Sequence, residues 1–95
     1  MSISIKKINS CEFEAKIVKK ATTSHTISIS DEKFNQLTDG KLSKEELLEF
    51  SIKFLLDREN NTSILHVFAI EDILKYYPEY TETLNNFISG KIVEI

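Results

Sequence analysis

The chain has 95 residues, of which 41% are apolar and 28% are charged, as in an ordinary globular protein. This length supplies one hydrophobic core, so we expect a single domain over residues 1–95. No apolar run approaches the roughly 18 residues of a membrane span, so we expect no membrane partner. A disulfide framework needs paired cysteines, and Cys11 is alone. These features predict a cytoplasmic protein.

The net charge of −3 is unevenly distributed along the chain. Residues 1–33 hold six Lys against four acids, a net +2. Residues 34–95 hold six bases against eleven acids, a net −5. A basic footprint confined to the first third is weak for a protein that binds duplex DNA.

Three segments in the first thirty residues alternate apolar and polar side chains with a period of two, which is typical of half-buried strands. The apolar positions are Ile3 and Ile5, then Cys11, Phe13, Ala15 and Ile17, and then His25, Ile27 and Ile29. The connections near residues 9–10 and 21–23 are short, and short connections favour antiparallel neighbours. We therefore expect a small antiparallel β-meander with an apolar inner face.

The pattern then changes to helical periodicity. Ser30 or Asp31 is a suitable cap for a short helix that continues to about Thr38, and Gly40 is placed to end it.

The sequence S-K-E-E at residues 43–46 is a capping box that precedes an apolar run. Apolar side chains cover more than one face of the helix that it opens, so this helix should be largely buried. We expect a central buried helix over residues 43–59.

Three further segments follow the central helix. Residues 63–68 carry an apolar set that fits a short helix or a short strand, and the pattern leaves both open. Residues 70–77 are predicted to be helical, and a last helix begins near Tyr80, with Gly90 placed to stop it. Whether residues 91–95 join the sheet is also left open. The predicted fold class is α+β, a small antiparallel β-meander packed on one face by helices.

No combination of residues predicts a catalytic, metal or cofactor site. Residues 39–47 resemble the second half of a calcium loop, but in the first half Leu37 offers no oxygen where such a loop needs its second ligand. His25, His66 and Cys11 lie far apart in sequence and lack the close spacing of transition-metal ligands. We therefore expect a non-enzymatic protein with no metal and no cofactor.

The order strand 26–30, helix 31–38 and helix 43–59 resembles the ribbon-helix-helix fold of bacterial repressors and antitoxins. That resemblance implies a dimer whose two-stranded ribbon enters the major groove. The residues that would face nucleic acid are Thr26, Ser28 and Ser30. None is a side chain suited to bidentate base contacts, and residues 12–19 offer the strand a partner within the chain. A dimeric DNA-binding regulator or antitoxin is for these reasons the alternative function rather than the favoured one.

Most of the chain also resembles a family of short bacterial proteins that share the signature F-L-L-x-R-E…S-I-L…F…Y-x-P-E-Y. The matching residues here are F-L-L-D-R-E at 54–59, S-I-L at 63–65, Phe68 and Y-Y-P-E-Y at 76–80. The resemblance implies a shared fold unit and no particular activity.

This signature has a structural and a functional interpretation. In the structural one, Arg58 pairs with a later acid such as Glu79 and fixes the C-terminal segment. In the functional one, Arg and Tyr act as interface anchors in a partner-binding surface. That surface would comprise Arg58, Tyr77, Glu79 and Tyr80. The sequence thus favours a small interaction or regulatory module of a bacterial cytoplasm, with a protein partner.

Overall fold

Three strands open the fold, and a fourth joins them after two helices. The computed structural model describes residues 2–92, with side chains through Gly90. The elements in chain order are β1 (Ser2–Asn9), β2 (Glu12–Val18), β3 (Thr22–Ser28), α1 (Asp31–Thr38), α2 (Lys44–Leu56), a 3-10 turn (Asn61–Ser63), β4 (Val67–Ala69), α3 (Ile70–Tyr76) and α4 (Tyr80–Ile92). The α+β fold class predicted from the sequence is confirmed.

The sheet has the strand order β1-β2-β3-β4. The predicted antiparallel meander is present in β1 to β3, with Ser2 opposite Val18 and Glu12 opposite Ser28. The added strand β4 lies parallel to β3, so the whole sheet is mixed. The parallel direction follows from the connection, because α1 and α2 return the chain to the end of the sheet at which β3 began.

The helices cover one face of this sheet. The predicted inner face is buried at Phe13, Ala15, Ile17, His25, Ile27 and Ile29, while Ile3 and Ile5 of β1 are half-buried. Cys11 departs from the prediction, because it lies in the β1–β2 turn and is exposed. The opposite face carries Ser, Thr, Lys and Glu side chains.

Both predicted helix caps are formed. Ser30 Oγ accepts from the backbone N–H of Lys33 at the start of α1. Ser43 and Glu46 complete the capping box of α2, with distances of 2.9 and 3.1 Å. The central helix is buried as expected but ends at Leu56 rather than Glu59, since residues 57–59 form a turn.

The segments after α2 settle one open question and correct one prediction. Residues 61–63 form the 3-10 turn and β4 occupies 67–69, so the strand reading holds for part of 63–68. The prediction that Gly90 stops the last helix is wrong, since α4 continues through it to Ile92. Glycine in a helix costs only about 1 kcal/mol relative to alanine, which does not by itself end a helix. Residues 91 and 92 are therefore helical, and 93–95 lie outside the described residues.

Candidate functional site

The last turn of α2 carries a cluster that we call the aromatic corner, made of Phe54, Arg58, Tyr77, Glu79 and Tyr80. The guanidinium of Arg58 lies 3.6 Å from the centroid of the Phe54 ring, close enough for a cation–π interaction. Its Nε donates to Glu79 Oε2 at 3.1 Å, and its NH1 group donates to the backbone carbonyl of Phe54 at 3.0 Å. The predicted Arg58–Glu79 pair is thus confirmed. This arginine ties the end of α2 to the start of α4.

The hydroxyl groups of both tyrosines of the corner have hydrogen-bond partners within the chain. Tyr80 has 0% of its surface exposed, and its hydroxyl lies 2.6 Å from Ser51 Oγ. Burial raises the pKa of Tyr80 to about 12, because the charged phenolate loses its water. The hydroxyl of Tyr77 donates to Glu59 Oε2 at 2.7 Å, and this hydrogen bond together with burial raises the pKa of Tyr77.

The four residues of the predicted recognition surface therefore lie together, and each has a hydrogen-bond partner within the chain. Tyr80 is a correction to that prediction, because a fully buried ring offers no surface to a partner. The pKa of the Glu79 carboxyl is lowered, first by its own backbone N–H and then by Arg58. The aromatic corner is accordingly a structural joint.

An apolar groove lies beside the aromatic corner, between the end of α2, the segment before β4, and α3. We call it the α3 groove. Its volume is about 400 Å³, which is within the range of small ligand pockets. Its lining comprises Leu55, Glu59, Ser63, Ile64, Leu65, Phe68, Asp72, Ile73, Tyr76 and Tyr77.

Two large apolar side chains stand open on the rim of the α3 groove. Leu65 is 55% exposed and Tyr76 is 69% exposed, whereas Ile64 and Ile73 beneath them are buried. The adjacent Val67 is also exposed. An apolar patch beside a concave, mostly apolar surface is a common feature of binding sites.

The charged groups of the groove lining are both acids. Glu59 accepts from Tyr77, and Asp72 accepts from the backbone N–H of Ala69 at 3.0 Å, which caps α3. Among the described residues, neither carboxylate forms an ion pair with Lys or Arg. The groove therefore presents negative charge that no described base neutralises.

The backbone that carries Leu65 is held in place by buried polar groups. Asn61 donates from Nδ2 to the Ala21 carbonyl at 2.9 Å and to Thr23 Oγ1 at 3.0 Å. His25 lies 2.7 Å from the Leu65 carbonyl through Nδ1 and 2.8 Å from Thr23 Oγ1 through Nε2. Because a carbonyl only accepts, Nδ1 carries a proton, and in the neutral imidazole Nε2 accepts from the Thr23 hydroxyl. Hydrogen bonds thus fix this wall of the groove to β3.

The imidazole of His66 stacks on that of His25, with ring centroids 5.6 Å apart. His66 Nδ1 lies 3.2 Å from the Ser24 carbonyl. Both histidines, which the sequence placed apart, are therefore neighbours at the β3–β4 junction and have hydrogen bonds there. Among the residues that the structure describes, no three His, Cys, Asp or Glu side chains form a group that could hold a metal ion.

The residues of the nucleic-acid alternative lie on or beside β3, an interior strand. Thr26 and Ser28 are half-buried there, between β2 on one side and β4 on the other. Ser30 follows the strand and caps α1. An intermolecular ribbon needs a strand with a free edge, so this arrangement offers no support for the ribbon-helix-helix reading at these positions.

The segment that resembles half a calcium loop forms the junction between α1 and α2. The side-chain oxygens of Ser43 and Glu46 form the capping box, and Asp39 ends α1 in the left-handed conformation with a φ of 52°.

In residues 2–92 no helix is long and apolar enough to cross a bilayer.

Sequence reasoning missed the two rim residues of the groove, Leu65 and Tyr76. The signal for Leu65 was its place beside Ile64, since only one of two adjacent apolar residues in an extended segment can point into the core.

No family model, curated protein or solved structure matches the chain.

Proposed function

We propose that this chain is a non-enzymatic interaction module of a bacterial cytoplasm, and that its α3 groove binds a short segment of a protein partner. The observation that carries the proposal is the exposure of Leu65 and Tyr76 on the rim of a fixed apolar groove. Tyrosine is enriched among residues that dominate binding energy at protein interfaces.

The lining of the groove favours a particular partner chemistry. Burial of one leucine-sized side chain contributes about 1.5–3 kcal/mol, whereas an exposed ion pair contributes roughly 0.2–1 kcal/mol. Apolar contact with Leu65 and Tyr76 would therefore supply most of the affinity, and Glu59 and Asp72 would select the sign of the neighbouring charge. The expected partner segment carries a bulky apolar residue next to Lys or Arg.

The same carboxylates support a binding role rather than a catalytic one. Glu59 is engaged with Tyr77 and Asp72 caps α3, so each has a structural hydrogen bond to keep. A general acid or base must instead be placed to exchange a proton with a substrate.

A displayed library of short random peptides tests this proposal without a known partner. The wild-type protein is the bait, and enriched peptides are then measured by calorimetry against the wild type and three variants. Leu65→Lys removes an apolar rim residue and adds a like charge for a basic peptide. Val18→Lys is the matched control, because Val18 is also a partly exposed apolar residue but lies on the polar face of the sheet. Glu59→Gln removes the charge and keeps an oxygen for Tyr77.

We expect enriched peptides to pair a bulky apolar residue with Lys or Arg and to bind with a dissociation constant of about 10–100 µM. Leu65→Lys should weaken binding at least about tenfold, Glu59→Gln about threefold, and Val18→Lys not at all. Peptides without a shared apolar residue, or equal affinities for Leu65→Lys and Val18→Lys, would refute the groove as the binding site.

A further inference from the structure

Within residues 2–92, strand β1 (Ser2–Asn9) forms one edge of the sheet over eight residues. Edge strands expose unpaired backbone groups that recruit other strands, and natural proteins protect them with lysines, bulges or short length. Here Lys6, Lys7 and the irregular register between Lys7 and Asn9 protect only the second half. The first half, S-I-S-I at residues 2–5, has none of these protections.

The sheet register identifies which backbone groups of β1 face outward. The N–H of Thr26 donates to the His66 carbonyl at 2.7 Å, so Thr26 points its backbone groups toward β4. The backbone groups of successive strand residues point to alternate sides, so His25 and Ile27 point toward β2. The 2.8 Å bond from Ile29 N–H to the Cys11 carbonyl agrees with this alternation.

The same alternation extends across β2 to β1. Ala15 is the partner of His25, so the odd residues of β2 face β3 and the even ones face β1. Lys16 is the partner of Ser4, so Ser4 is bonded toward β2, and Ile3 and Ile5 turn their N–H and C=O groups to the free edge. Their side chains remain on the inner face, where both are only half-buried.

We propose that this edge pairs with β1 of a second copy of the chain, antiparallel and about a two-fold axis at Ser4. In this register Ile3 of each copy lies opposite Ile5 of the other, and the two exchange their free backbone hydrogen bonds. Ser4 faces Ser4 of the second copy on the polar side of the sheet. The isoleucines of both copies meet on the inner face, where a neighbouring apolar side chain completes their burial.

Charge selects this register over the two alternatives whose axis lies closer to Lys6. A two-fold axis at Lys6 would set Lys6 directly opposite its own copy, and like charges in that position are destabilising. An axis at Ile5 would leave the two Lys6 side chains two residues apart along the strands, about 7 Å and within the Debye length of about 8 Å. The axis at Ser4 separates them by four residues, about 13 Å, which is beyond that length.

The pairing has a consequence for the α3 groove, which lies next to β4 at the opposite edge of the sheet. Two sheets joined at β1 form one sheet of eight strands with a β4 at each end. Seven strand spacings of about 4.8 Å place the two β4 strands about 34 Å apart, measured across the sheet. The self-association does not depend on what the groove binds.

Sedimentation equilibrium with oppositely charged Ser4 variants tests the proposed register. Ser4→Lys and Ser4→Glu each place like charges opposite each other in the dimer and leave the bonds to β2 intact. Ser4→Glu is the cleaner single variant, because Lys16 is the neighbour of Ser4 within the chain. Thr22→Glu is the matched control on the polar face of β3, and Leu65→Lys controls for association through the groove. Circular dichroism and thermal melts establish that each variant is folded.

An interface of five residues is small, so we expect a dissociation constant between about 10 µM and 1 mM for the wild type. Each Ser4 variant should weaken dimerisation at least about tenfold, while a 1:1 mixture of the two recovers dimers and both controls dimerise like the wild type. A wild type that is monomeric at about 1 mM overturns the proposal. A dimer whose dissociation constant is unchanged in the Ser4 variants also overturns the proposal. A dimer that is lost in Leu65→Lys overturns it as well.

Discussion

The aromatic corner and the α3 groove share the last turn of α2 and the α3–α4 junction, yet they use similar residues in opposite ways. In the corner, Arg58, Glu79 and the hydroxyl of Tyr80 find their partners within the chain. In the groove, Leu65 and Tyr76 remain open to solvent. Residue type alone therefore does not separate a structural joint from a solvent-exposed surface, whereas the presence of internal partners does.

The tyrosines at the α3–α4 junction show the difference over five residues. Tyr76 ends α3 and points to solvent at the rim of the groove. Tyr77 directs its hydroxyl to Glu59, and Tyr80 is completely buried against α2. Both Tyr76 and Tyr77 line the α3 groove, but Tyr76 is exposed there while Tyr77 is hydrogen-bonded within the chain.

We expect the largest effect when the same substitution is compared at two leucines that lie ten residues apart in sequence. Leu55→Asp should cost more than about 4 kcal/mol in the free energy of unfolding, because it buries a charge that has no partner. Leu65→Asp should stay within about 0.5 kcal/mol of the wild type, because the side chain is exposed on the groove rim. Urea denaturation followed by circular dichroism measures both, and equal losses would erase the distinction between core and rim.

High pH should destabilise the corner through Tyr80. Its folded pKa of about 12 lies above the unfolded value near 10, so the stability from burying the neutral phenol is complete below pH 10. That stability is lost as the pH rises from 10 to 12, and two pKa units correspond to about 3 kcal/mol. Urea unfolding between pH 9 and about 12 measures the loss. Tyr80→Phe should remove this part of the pH dependence, and Tyr76→Phe should retain it.

Arg58→Lys keeps the charge of the corner and loses the planar group that stacks on Phe54 while bonding Glu79. We expect a loss of about 1–2 kcal/mol, since lysine cannot reproduce this geometry. Lys53→Ala is the control, because the Lys53–Glu49 pair is exposed and should contribute less than about 0.5 kcal/mol. Similar losses for the two variants would mean that Arg58 acts only through its charge.

Ser43→Ala tests whether stability and the proposed peptide binding by the groove are independent. Loss of the capping box should lower the free energy of unfolding by about 1 kcal/mol. The box lies at the start of α2, far from the corner and the groove. Thermal unfolding gives the loss, and calorimetry should give an unchanged affinity for selected peptides. A parallel fall in affinity would mean that global stability, rather than the groove surface, governs binding.

The sequence predicted the elements whose signals are local. Period-two alternation located β1 to β3, and the S-K-E-E box located the start of α2. The pair between Arg58 and Glu79 was also predictable, because both flank turns at helix ends. The parallel position of β4 depends on how α1 and α2 pack. The three residues of β4 carry no sequence pattern that would reveal this packing.

The groove was not predictable for a related reason. Leu65 and Ile64 are both aliphatic, and which one points outward follows from contacts with distant residues, such as the hydrogen bond of the Leu65 carbonyl with His25. Tyr80 resembles an interface anchor in sequence, but its ring is buried and its hydroxyl is hydrogen-bonded to Ser51, which is 29 residues away. Such contacts between distant segments decide which aromatic residues remain exposed.

The most direct test of this account measures stability and peptide affinity for two variants side by side, Arg58→Ala in the corner and Leu65→Lys on the groove rim. The account predicts that Arg58→Ala loses about 1–3 kcal/mol of unfolding free energy but binds selected peptides within about threefold of the wild type. It predicts that Leu65→Lys keeps its stability within about 0.5 kcal/mol and loses at least about tenfold in affinity. The reverse pattern, with affinity lost through Arg58 and retained in Leu65→Lys, would contradict the assignment of the two regions.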